Sequence, residues 1–72
     1  MITKKQIKET IAKLKIYQGD KNNVEFAKEI KVPEPYLTDI YKHGILRNGM
    51  YQFEVLAYIN RREQEEHLNN LS

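Results

Sequence analysis

The side chains of this 72-residue chain that could act on another molecule are acids, hydroxyls and a few cations rather than nucleophiles. Cysteine is absent and the one serine is Ser72. His43 and His67 are spaced neither as metal ligands nor as members of a triad. His43 falls near the end of an expected helix, where the dipole gives an imidazolium a sufficient structural role. Gly19, Gly44 and Gly49 are scattered and form no phosphate-cradling loop. These patterns argue against an enzyme and imply no cofactor, no metal and no small-molecule substrate. What they leave is recognition by charge, hydrogen bonding and apolar contact. The residues gathered for it are Glu25, Glu34, Pro35, Tyr36, Thr38, Asp39, Tyr41, Lys42 and Ile45.

These side chains need two helices to present them. Phe26, Ala27 and Ile30, then Val32, then Leu37, Ile40 and Tyr41 make two short runs of helical period joined by a sharp corner. Ala27 is small enough for two helices to cross steeply there, and Val32 plugs the corner. Pro33 and Pro35 suit the first turn of the second helix and disfavour helix just before it. The pattern predicts a helix-turn-helix, with an ordinary helical hairpin in a small bundle as the alternative.

The stretch from Asn23 to Gly44 resembles the motif of the lambda-repressor and Cro-like family of phage and bacterial regulators. The likeness rests on Ala27, on the apolar positions Phe26, Ile30, Val32, Leu37 and Ile40, and on the closing Gly44. Where the family usually has a turn glycine, this chain has Lys31, which must take the left-handed conformation at a cost of roughly a kcal/mol. The resemblance implies an all-α domain of four to five helices with a central helix-turn-helix. It also implies that the helix from about Glu34 to His43 is the one that meets a target, with Arg47, Asn48 and the Gly49 amide in a loop over a phosphate backbone.

The rest of the chain reads as support. Thr3 caps a first helix to about Ile16 with Ile7, Ile11 and Leu14 as its buried stripe. Residues 18–23 form a polar loop in which Gly19 stops that helix, and Asn22 with Glu25 fits a capping box. A last helix is expected from about Met50 to Leu68, with Phe53, Leu56 and Ala57 on one apolar face and Tyr51, Val55, Tyr58 and Ile59 on another. So small a domain has difficulty burying both, which makes Tyr51, Val55 and Tyr58 either an interface with a second chain or a packing face for the first helix. Residues 66–72 read as a frayed tail of a single domain spanning 1–72.

Charge and length set further bounds. A chain this short has a limited core. No run is long enough for a membrane span and lysines interrupt the first residues, so the expectation is a cytoplasmic protein of the host cell, away from membranes. The net charge of +2 is unevenly spread. Residues 1–23 hold six lysines against Glu9 and Asp20, whereas 24–44 hold three lysines against four acids. The lysines of the first helix are either a solvated face or a patch for phosphate or an acidic partner.

The expected target-facing helix is therefore acidic where family members most often place base-reading residues, at Glu34, Pro35 and Asp39. An acid only accepts hydrogen bonds, and DNA affinity is dominated by cationic neutralisation. The favoured expectation is an antirepressor: the acidic face binds the basic recognition surface of a helix-turn-helix repressor, with Tyr36, Tyr41 and Ile45 as apolar anchors. In size and acidic motif the chain is similar to the small antirepressors of temperate-phage switches, such as the modulator-of-repression proteins of lactococcal phages. The alternative is a Cro-like repressor that binds operator DNA as a dimer through Tyr36, Thr38, Lys42, Arg47 and Asn48. A helical assembly module without regulatory role is a third reading.

Overall fold

The computed structural model describes residues 2–71, with side chains placed through residue 68. Four helices follow one another: α1 (Lys4–Gln18), α2 (Asn23–Ile30), α3 (Glu34–His43) and α4 (Met50–Leu71). Each boundary has a local cause. Thr3 and Gln6 form a full capping box at the start of α1: the Thr3 hydroxyl accepts from the Gln6 amide at 3.1 Å, and the Gln6 side chain accepts from the Thr3 amide at 2.8 Å. The helix runs two residues past Ile16. Gln18 holds this end by donating to the Lys21 carbonyl at 2.9 Å and to Asn23 at 2.8 Å, which shortens the connection to 19–22. Asn22 caps α2 by accepting from the Glu25 amide at 2.8 Å.

The corner between α2 and α3 is the helix-turn-helix that the spacing predicts. Lys31 sits at φ 74°, ψ 41°, and the Ala27 carbonyl accepts from both the Lys31 and Val32 amides. Pro33 leads into α3, and Gly44 ends it in the left-handed region at φ 64°. Lysine at the α2 exit carries strain that glycine lacks, partly offset because glycine is freer in the unfolded chain. Lys31→Gly is expected to stabilise the fold by about 0.5–1 kcal/mol, read as a raised melting temperature.

The core follows the predicted apolar positions. Leu14, Phe26, Ala27, Ile30, Val32, Leu37 and Ile40 are buried, and Val55, Tyr58 and Ile59 of α4 close over them. Leu46, in the loop before α4, is buried as well; Gln52 ties that loop down by donating to the Leu46 carbonyl and to Asn48, each at 3.3 Å.

α4 decides between the alternatives that the sequence leaves open. Its two apolar faces are not equivalent. Val55 and Tyr58 lie in the core at 0% and 3% exposure, so neither is available to a second chain, whereas Tyr51 at the start of the same stripe is exposed. Phe53 is 70% exposed, Met50 is 71% exposed, and Ala57 is also outside. The buried face includes a tyrosine with polar partners. The Tyr58 ring packs edge-on against Phe26 (5.7 Å) and Tyr17 (6.2 Å), while its hydroxyl donates to Glu29 of α2 and accepts from Arg62 at 3.3 Å. Phe53 brings no hydroxyl to that position. The helix is described to Leu71, and its glutamates and glutamine are good helix formers. Ser72 lies outside the described residues.

Glu29 joins three segments, because Lys21 donates to its other oxygen at 2.7 Å. The Lys21 ammonium, then the Tyr58 hydroxyl, hold the Glu29 carboxyl below its ordinary value. Burial, then the Glu29 contact, push the Tyr58 hydroxyl up to about 12. A carboxyl depressed in the native state contributes stability above its unfolded pKa and loses it as pH falls through the native one. The melting temperature should therefore fall on acidification from neutrality to about pH 3, and Glu29→Gln should flatten that slope.

Candidate recognition face

Around α3 the structure assembles a face from the helix, the loop after it and the start of α4. The α3 side chains Glu34, Pro35, Tyr36, Thr38, Asp39 and Lys42 are exposed or half-buried, opposite the buried Leu37 and Ile40. The helix positions them by its period: Leu37 and Ile40 fix which side faces inward, and the others have no freedom to follow.

The acids on this face are engaged. Glu34 accepts from the Thr38 hydroxyl at 2.8 Å, one turn on. Asp39 accepts from Nε of Arg47 at 2.6 Å, and its second oxygen lies 3.5 Å from Nε2 of His43. The Arg47 hydrogen bond holds the Asp39 carboxyl below its ordinary value, and the same bond pushes Arg47 up. Tyr36 completes the arrangement. Its hydroxyl donates to the Arg47 carbonyl at 3.0 Å, and its ring packs against Tyr51 of α4 with centroids 5.4 Å apart. Burial pushes the Tyr36 hydroxyl up. Tyr36, Asp39, Arg47 and Tyr51 thus form one continuous cluster across α3, the loop and the start of α4.

Three of the other sequence-based candidates sit elsewhere. Tyr41 packs against the core, and its hydroxyl is buried with no hydrogen-bond partner; burial pushes it up to about 12. It is not a free anchor on the face. Ile45 is half-buried beside Ile7 and Lys8 of α1, away from the α3 cluster. Asn48 accepts from Gln52, so its carbonyl oxygen braces the loop. Glu25 is exposed on the first turn of α2, and Lys42 is exposed near the end of α3. Neither takes part in an ion pair among the described residues.

Sequence reasoning missed Tyr51 as the ring partner of Tyr36 and missed the Asp39–Arg47 pair. Both span a non-helical loop, where no period links the positions. The only sequence signal was an acid and an arginine of opposite charge on either side of Gly44.

Chemically, the face offers an aromatic pair, an ion pair, a proline at the helix start and one lysine. Among the described residues, no helix is long and apolar enough to cross a membrane. In comparison with known proteins, no family model, curated protein or solved structure matches this chain.

Proposed function

We propose that the chain is a small helix-turn-helix transcriptional regulator that acts as an antirepressor. Its α3 face binds a DNA-binding repressor of the lysis/lysogeny type of switch and blocks or remodels that repressor's hold on DNA. The observation that carries this reading is the Asp39–Arg47 pair. Arg47 is the one arginine in the loop after α3, and its Nε is committed to Asp39 at 2.6 Å. An arginine already matched to a carboxylate gains less from a phosphate, and the first two turns of α3 contain no lysine or arginine. Tyr36 is likewise tied to the Arg47 carbonyl and braced by Tyr51, which makes the pair a rigid aromatic anchor of the kind that dominates protein interfaces. The exposed Glu25 and half-exposed Glu34 steer a basic surface toward it.

The Cro-like reading keeps one supporting observation, the exposed Lys42, which makes no ion pair among the described residues. A mobility-shift titration at low salt separates the two, using DNA that flanks the chain's own gene, with and without a repressor encoded beside it. The antirepressor reading expects no specific shift by the protein alone and displacement or remodelling of the repressor's complex. Tight, specific binding by the protein alone would replace it with the Cro-like reading.

A further inference from the structure

A second surface lies at the opposite end of α3, where its last turn meets the start of α1. Lys4, Ile7, Lys8, Gly44 and Ile45 line a groove of about 270 Å³ there. We infer that this groove docks an acidic segment of another protein, seating one or two of its apolar side chains between two lysines. The inference does not rest on the α3 reading, since it uses none of the residues of that cluster.

Charge gives the first reason. Lys4 and Lys8 are exposed, one helical turn apart on one face, and the groove lining contains no carboxylate. Among the described residues neither ammonium pairs with an acid: the lysines that bond to other side chains there are Lys13, to Glu63, and Lys21, to Glu29. Like charges four residues apart repel. Cations near a helix N-terminus also oppose the dipole, and α1 has no acid in its first turn to relieve them. The fold gains nothing local from this arrangement, because Thr3 and Gln6 already cap the helix. An acidic ligand would resolve the conflict.

The floor gives the second reason. Ile7 and Ile45 are half-buried and apolar, and Gly44 contributes no side chain, leaving open space where a Cβ would stand. The Gly44 amide is already donated to the Ile40 carbonyl at 2.9 Å and is not free for a phosphate. A sugar–phosphate backbone would meet an apolar floor with only two point charges. An acidic polypeptide with an apolar residue matches both features. The volume falls just below the roughly 300–1,000 Å³ of small-ligand pockets and suits one or two side chains.

The test uses the full chain, isotopically labelled for amide NMR, and a short capped peptide of alternating glutamate and leucine as the probe. Saturable shifts centred on Lys4, Lys8, Gly44 and Ile45 are expected, weakening as salt is added. The double variant Lys4→Glu, Lys8→Glu should lower affinity at least about tenfold. Its fold should survive, because acids suit a helix N-terminus, and a circular-dichroism melt checks this. Three results overturn the inference: no saturable shifts at the groove, an equal response to the same peptide with lysine replacing glutamate, or tighter occupation of the same residues by a short DNA duplex. The last would identify a nucleic-acid contact instead.

Discussion

Phe26→Ala is expected to leave most of the chain unfolded at 25 °C. Phe26 is fully buried and packs edge-on against Tyr58 at 5.7 Å, at the point where α2 meets α4. Removing a buried phenylalanine side chain costs about 3–5 kcal/mol through lost transfer energy and the cavity left behind. A domain of this size has only about 3–5 kcal/mol of stability from its core to lose. The chain has no cysteine, so no disulfide limits the unfolded state. Phe53→Ala is the matched control. That ring is 70% exposed, and its loss should shift stability by no more than about 0.5 kcal/mol. Helical circular dichroism followed through a melt reads both. A folded Phe26→Ala protein would show that the contact between α2 and α4 matters less than its burial implies.

If the proposed antirepressor function holds, the double reversal Glu34→Lys, Asp39→Lys is expected to weaken binding to the proposed partner repressor on the order of a hundredfold, because it sets like charges against a basic surface. It replaces two negative charges on α3 by two positive ones and releases Arg47 from its carboxylate. The same variant should gain salt-sensitive, non-specific affinity for DNA, since freed and added cations displace counterions from the duplex. Helical content should be unchanged, because the bonds lost lie outside the core. Titration against the repressor by calorimetry, and against duplex DNA by mobility shift, measures both effects. The opposite pattern, in which Lys42→Ala with Arg47→Ala destroys function while the double reversal leaves it intact, would sink the antirepressor proposal. Asp39→Asn adds a narrower check. It should weaken the hold on Arg47 and raise DNA affinity less than the double reversal does.

Much of the fold could be read directly from residue order. The period of Phe26, Ala27, Ile30, Leu37 and Ile40 specifies two helices, and Val32 with the two prolines specifies the corner, because these effects act within a few residues. Thr3, Asn22 and Gly44 mark helix ends for the same local reason. The absence of cysteine and the scatter of histidine and glycine bear on chemistry just as directly. The exposed side of α3 also follows, once Leu37 and Ile40 are known to face inward.

Only the tertiary structure decided which face of α4 is buried. Periodicity offers Phe53 with Ala57 and Val55 with Tyr58 as nearly equal alternatives, and hydrophobicity alone favours neither. In the folded chain the Tyr58 hydroxyl meets Glu29 at the border of the core, and Lys21 donates to the other oxygen of that carboxylate, both remote from Tyr58 in sequence. Likewise, nothing in residue order shows that the acid at Asp39 is neutralised by Arg47, or that Tyr36 leans on Tyr51. Those contacts cross a loop whose path is set by burial of Leu46 and by Gln52. The sequence alone determined which residues stand on the exposed side of α3. Which of their charges remain free depends on distances between elements, and those exist only after the chain has folded.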